Sequence, residues 1–239
     1  MAPRVYHYER VPSTMDVIHT LAEEGVETGT IVVAGEQLAG RGSRGRTWHA
    51  PPGGLWLSAL FRPGSAAAIE VMSLRVGLAL ANVLDQFAPA SVYLKWPNDL
   101  MLHDRKLGGI LCEARWQGTS LSWVAVGVGL NVRNPIPAQL QHQAVALVEG
   151  NAGVTVDSLL EPVVAALRSI DLKAERLSSE ELQQFSRRHW LNRRKIREPV
   201  KGTVANLDSD GTLQVRVTGG SCIALRNASI QLSTTTPVS

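Results

Sequence analysis

Gly40-Arg41-Gly42-Ser43-Arg44-Gly45-Arg46-Thr47-Trp48 places three glycines and three arginines within seven residues. Glycine lets backbone N–H groups come close to a ligand and lets a loop change shape. Arginine presents a fork of donors that matches phosphate and carboxylate oxygens. Trp48 can cover a flat ligand. The chemistry on offer is small-anion binding; an exposed RNA-binding or merely soluble Arg/Gly loop is the plainer alternative. No G-x-x-x-x-G-K-[ST] string occurs, which disfavours an ordinary P-loop ATPase.

Three further segments carry polar groups at places suited to a site. In Lys95-Trp96-Pro97-Asn98-Asp99-Leu100 the proline lacks an N–H and ends a strand ladder, so Asn98 and Asp99 fall at a strand end. A simple strand-to-turn junction would have the same composition. In Arg105-Lys106-Leu107-Gly108-Gly109-Ile110-Leu111-Cys112-Glu113 two glycines at a strand start suggest close approach of a ligand or a backbone, with Lys106 beside them. The chain holds 19 arginines and five lysines, and Lys95 and Lys106 are two of the five. That bias hints that lysine is kept where a compact ammonium is needed. Gly127-Val128-Gly129-Leu130-Asn131-Val132 is a weaker signal, since a lone Gly-x-Gly is usually a turn.

These segments need elements to hold them. Ser13 can cap a helix running to about Glu24, with Asp16 three residues on and Gly25 as its stop. Strands are expected at 30–34, 55–61, 92–96, 107–114 and 121–129, with a hairpin turn at 117–120. Apolar spacing predicts helices over 71–87, 155–177 and 180–190. From Pro199 to Leu232 short alternating segments suggest a small antiparallel barrel. The expectation is an α+β fold: a mainly antiparallel sheet with helices on one side over 1–194, and a small barrel domain over 195–239.

The bulk properties narrow the setting. At 239 residues, 44% hydrophobic and 19% charged, the chain can bury a core. A net charge of +3 favours anionic ligands but falls short of a general nucleic-acid binder. Cys112 and Cys222 alone make neither a disulfide framework nor a zinc site, which fits a reducing cytoplasm. No signal-peptide core precedes Ser13, and no apolar run approaches the ~18 residues of a membrane span.

Read in order, Ser13-Thr14, GRGSRGRTW, KWPNDL, KLGGIL and GVGLNV resemble the biotin protein ligase family over nearly the whole chain. The resemblance implies the class II synthetase-like catalytic fold with a C-terminal SH3-like barrel. It implies that the biotin carboxylate attacks the α-phosphate of ATP, giving biotinyl-AMP, and that a lysine of a biotin carboxyl carrier domain of a carboxylase then takes the biotinyl group. Biotin contacts would come from Ser13, Thr14, Met15, Gln37, Arg41, Gly42, Ser43, Lys106 and Gly109. The ATP side would use Arg44, Arg46, Trp48, Lys95, Asn98, Asn131, Gly127 and Gly129. Lys106, Arg41 and Asp99 would be catalytic, Asp99 also holding the incoming lysine. Mg²⁺ would be held mostly through ATP phosphates, with no certain protein ligand. Two departures stand out: Met15 replaces an Asn of well-known members, and Ser43 an Arg of many.

Because the ligase segment begins at Ser13, the form without the N-terminal DNA-binding repressor domain is expected, with no specific DNA binding and no membrane; a homodimer remains open. The loop is expected to order over biotin and its adenylate. Two other readings stand beside this one. A lipoate or octanoate ligase or transferase would share the fold, although GRGSRGRTW and KWPND argue against it. A nucleic-acid-binding protein would use the Arg/Gly loop, the barrel, and the basic run Arg187, Arg188, Arg193, Arg194, Lys195 and Arg197, which could equally be a solvated face or a docking surface for an acidic acceptor.

Overall fold

The apolar run of 55–61 and the alternating 121–129 come out as the centre of a seven-stranded sheet in a computed structural model that describes residues 3–233. Its order is β1 (Val5–Val11), β2 (Ile31–Gln37), β3 (Leu55–Phe61), β7 (Ser120–Leu130), β6 (Arg105–Gln117), β5 (Asp99–Leu102) and β4 (Tyr93–Lys95). All neighbours are antiparallel except β1 and β2, which are parallel. The hairpin between β6 and β7 turns at Gly118, as the sequence suggests.

Alternation along the strands sorts side chains to two faces. Ile31, Val33, Leu57, Phe61, Val126 and Val128 join the larger core with the short α2 (Ala67–Glu70), α3 (Met72–Leu84) and α4 (Val156–Arg168). Val32, Leu60 and Ala125 face the other way and pack on Met15, Ile18, Leu21 and Ala22 of α1 (Thr14–Glu23). The expectation of helices on one side is therefore corrected: α1 lies on the face opposite α3 and α4. The reason is the apolar stripe of α1, which needs its own sheet face to cover. Ser13 caps α1 by accepting from Met15 N at 3.3 Å.

The helix expected over 155–177 stops at Arg168. Beyond it the carbonyls of Asp171, Ala174 and Arg176 accept from the buried guanidinium of Arg75, at 3.3, 2.8 and 2.7 Å. A tertiary cation takes the acceptors that a continued helix would use. The next helix, α5 (Ser179–Arg188), follows a Ser178/Glu181 capping box and pairs Glu181 with the same Arg75.

The C-terminal segment forms a second antiparallel sheet in the order β11 (Cys222–Leu225), β10 (Leu213–Arg216), β9 (Gly202–Leu207), β8 (Lys195–Glu198) and β12 (Gln231–Leu232). No pairing joins β11 to β12, so among the described residues the ladder is open. The expected last residues of this unit, 234–239, lie outside the described part. Its turn at Asp208–Gly211 reaches the large sheet, where Trp96 Nε1 donates to Gly211 O at 2.9 Å.

Candidate active site

The floor of the site is a strip of missing side chains. Gly109 pairs with Gly129 across β6 and β7, and Gly127 lies on the same face as Ala125, toward α1. A Cβ on Gly129 would sit 2.7 Å from the Trp48 indole, and one on Gly127 would sit 2.9 Å from Met15 Sδ. Glycine is required here so that Trp48 and Met15 can lie directly on the sheet. Over this strip opens a cavity of about 480 Å³, within the range of small-molecule sites.

One end of the cavity is a closed hydrogen-bond network. Gln37 Oε1 accepts from Thr14 N at 2.8 Å, Thr14 Oγ1 at 3.0 Å and Ser13 Oγ at 3.4 Å. The Thr14 backbone N–H can only donate, so the amide oxygen of Gln37 faces it and the NH₂ points elsewhere. Thr14 Oγ1 also lies 2.7 Å from Ser58 Oγ, which is fully buried in β3. Ser58 escaped the sequence reading; its signal was a lone hydroxyl in the apolar strand LWLSALF.

The other end is cationic. Lys106 Nζ lies 2.6 Å from Asp99 Oδ1 and 5.1 Å from the centre of the Trp48 ring. Asp99 Oδ1 is buried and has no aligned hydrogen bond among the described residues, so the ion pair is close but not spent in one direction. Burial holds the Lys95 ammonium below its ordinary pKa, Lys106 and Arg46 add repulsion, and Asp99 opposes them. Three cations near one carboxylate leave net positive charge at this end, which suits phosphate. Asn98 Nδ2 donates to Ile110 O at 2.8 Å and so pins the turn after β4 to β6. Asn131 is buried and accepts from Asn134 Nδ2 at 3.1 Å.

The arginine loop forms a side wall. Arg41 donates to Asp16 Oδ1 at 2.6 Å and to Glu113 Oε1 at 3.4 Å. Burial of its guanidinium works against the charge, but the contacts with Asp16 and Glu113 raise its pKa above the ordinary value. Arg46 folds back onto Ser43 O and Oγ, at 3.1 and 2.8 Å. The structure thus brings together, on one cavity wall or another, every expected site residue but one. Arg44, at a positive φ of 59°, turns away and donates to Asn227 O at 2.9 Å in the C-terminal unit.

Two parts of the wall went unforeseen. Residues 134–144 strap the cavity beside Lys106, whose N–H donates to Gln143 O at 2.7 Å and whose carbonyl accepts from Val145 N at 3.0 Å. Pro135-Ile136-Pro137 was the available hint. Trp190 stands at the rim between Arg194, 3.9 Å from its ring centre, and Lys95 at 5.4 Å, and donates to Asp104 at 2.6 Å. Arg194 and Trp190 together hold the Asp104 carboxyl below its usual range. The basic run around Trp190 is only partly free: Arg188 pairs with Asp85, Arg194 with Asp104, and Arg197 bonds Gln231. Among the described residues no three His, Cys, Asp or Glu side chains cluster as metal ligands, and no helix is long and apolar enough to cross a membrane.

A family model described as the biotin/lipoate A/B protein ligase family matches residues 7–131. The chain is 32% identical over 162 residues to the bifunctional ligase/repressor BirA of Bacillus subtilis, covering 66% of this chain and 50% of that protein. It is 33% identical over 225 residues to BirA of Escherichia coli, covering 85% and 68%. It spans about half the length of the first and two thirds of the second. Among solved structures it superposes on the biotin protein ligase from Aquifex aeolicus in complex with biotin and ATP with a TM-score of 0.80 and 25% identity, covering 96% of this chain and 99% of that one.

Proposed function

We infer the activity from one premise: this chain belongs to the biotin/lipoate A/B protein ligase family. Within that family we assign it to ATP-dependent attachment of biotin to a lysine of a biotin carboxyl carrier domain, through biotinyl-5′-AMP. The observation that carries the choice of acid is the Ser13–Thr14–Gln37–Ser58 network. Its hydroxyl lone pairs and the amide N–H of Gln37 complement a ureido ring, which offers two N–H donors and one carbonyl. The dithiolane ring of lipoate offers no donor to the remaining lone pairs and no acceptor to the Gln37 N–H, a mismatch that polar pockets reject.

The chemistry divides along the cavity. The ring end is neutral and polar, and the far end, with Lys106, Lys95 and Arg46, meets the carboxylate and the α-phosphate. The carboxylate oxygen bonds to phosphorus as the bond to pyrophosphate breaks. The acceptor amine then bonds to the acyl carbon, AMP leaves with the electron pair, and the amine gives up a proton. Asp99, half-buried and paired with Lys106, is the carboxylate we assign to hold that amine. Magnesium would enter on the nucleotide's phosphates and offset their charge. The catalytic unit is read as 1–194. The C-terminal unit, proposed over 195–239, is read as an SH3-like barrel, supported by its short strands and by the extra residue Ala205, which bulges β9 opposite Gln214 and Val215.

The deciding experiment is mass spectrometry of a biotin carboxyl carrier domain after incubation with this protein, MgATP, and either biotin or lipoate. A biotin-sized mass increase on one lysine is expected. A gain with lipoate alone would move the chain to the other branch of the family. Biotin-dependent exchange of pyrophosphate into ATP should accompany it, and exchange without biotin would overturn the adenylation step.

A further inference from the structure

Behind the arginine loop, outside the cavity, lies a hydrogen-bond chain that the reaction does not use directly. Trp123 Nε1, on β7, lies 3.0 Å from His19 Nδ1 on α1. An indole N–H can only donate, so His19 Nδ1 is the acceptor and the ring proton sits on Nε2. His19 Nε2 faces Glu113 Oε2 on β6 at 3.1 Å, and the other oxygen of Glu113 takes Arg41 Nε at 3.4 Å. Arg41 also binds Asp16, one turn before His19 on the same helix. Arg41 in turn bridges Thr47 across the loop, and Gly42 N donates to Arg46 O at 2.7 Å. Holding the Arg41 side chain therefore holds the leg Arg41–Ser43, which lines the cavity. Trp123, His19 and Glu113 line no part of it.

We propose that Trp123, His19 and Glu113 are positioning residues that act through Arg41 to fix the pocket-lining leg of the loop, and that retention of the acyl-adenylate depends on them. The second half of this rests on the ligase reading above. The chain spans four elements: β7 gives the donor that selects the histidine tautomer, α1 gives the relay, β6 gives the two-sided carboxylate, and the loop gives the cation. His19 is nearly buried, with its side chain 7% exposed, so the tautomer is shielded from exchange with water partners. A histidine that merely filled space would need neither the proton on Nε2 nor the carboxylate beyond it.

The test uses the full chain and compares His19→Leu with His19→Gln. Glutamine keeps an N–H that reaches Glu113, while leucine keeps only the packing. Limited tryptic cleavage after Arg41, Arg44 or Arg46, measured on the protein alone, should be about tenfold faster in His19→Leu and within about twofold of the parent in His19→Gln, as expected for loss of one charge-assisted contact. Release of biotinyl-AMP, followed after rapid gel filtration, should split the same way. Where leucine itself lowers the melting temperature, Trp123→Phe keeps an aromatic ring in the site while deleting the N–H, and should also speed cleavage. Equal behaviour of the leucine and glutamine variants, or cleavage that merely tracks melting temperature, would overturn the relay. A parent protein that forms no biotinyl-AMP would count against the ligase reading, while the cleavage comparison would still decide the relay.

Discussion

The two ends of the cavity wall are built on opposite principles. At the Ser13–Thr14–Gln37 end, Ser13 and Thr14 are 1% and 2% exposed, and both hydroxyls are bonded to the Gln37 amide oxygen on the neighbouring strand. At the arginine loop, Arg41 is 37% exposed at its side chain, and its partners Asp16 and Glu113 stand 53% and 26% exposed. On the proposed reading the first wall would recognise a neutral ring, and it would gain from being unable to move. On the same reading the second would admit a large anion and cover it afterwards; its Arg41 rests on the surface acids Asp16 and Glu113, where ion pairs are weak and easily exchanged, while Arg44 and Arg46 bond Asn227 and Ser43. Selectivity is stored in the buried network, and mobility in the half-exposed one.

The largest effect should come where the walls meet. Lys106→Ala removes the ammonium that faces the anion and should raise the barrier to biotinyl-AMP formation by about 2–4 kcal/mol. Lys106→Arg should also be impaired, because the planar fork does not replace a point charge over Trp48. Pyrophosphate exchange reads both, and an unchanged rate in the alanine variant would remove Lys106 from the site.

Next is the rigid wall. Thr14→Val deletes the hydroxyl that joins Gln37 to Ser58 and leaves a buried hydroxyl unpaired, so biotin binding should weaken by about 1–2 kcal/mol. Calorimetry would measure it. Unaltered affinity would show that the network serves the fold alone.

Acid should separate the two walls. Burial lowers the His19 pKa below the ordinary 6.5, its hydrogen bond to Glu113 opposes that, and Arg115 and Arg41 add repulsion. The folded protein thus favours the neutral ring. The stability this gives is complete above pH 6.5 and is lost as pH falls through the lowered folded value. Melting temperature should drop more steeply below pH 6.5 in the parent than in His19→Gln. No titratable side chain belongs to the Ser13–Thr14–Gln37–Ser58 network. Parallel curves for the two proteins would mean that the relay does not titrate.

The smallest effect is expected at Arg44→Ala. Its contact with Asn227 is exposed, and its loss should cost less than about 0.5 kcal/mol in denaturant unfolding, with biotin affinity unchanged. A loss above about 1 kcal/mol would make the C-terminal unit a structural brace of the loop.

Much of this was already written along the chain. The glycines and arginines of 40–48, the proline after Lys95 and Trp96, and the paired glycines of 108–109 each restrict the backbone locally, so their meaning survives without knowing what lies opposite. Strand β3 and the hairpin of β6 and β7 were legible for the same reason, since a short apolar run between glycines and a strand-turn-strand pattern are both local properties. Strand β1 was not: VYHYERV is polar and aromatic, as an edge strand can be, and only its pairing with β2 makes it a strand. The end of α4 was decided by Arg75, a residue of another helix, and the side on which α1 packs by which sheet face was left uncovered. Arg44 and Arg46 look alike in sequence, yet one reaches Asn227 and the other lines the cavity, because a positive φ at Arg44 turns the chain between them. Residue type and spacing determined which chemistry this chain carries; which atoms face one another was decided only by contacts between residues far apart in sequence, such as Thr14 with Ser58 and His19 with Glu113, whose energies no local window contains.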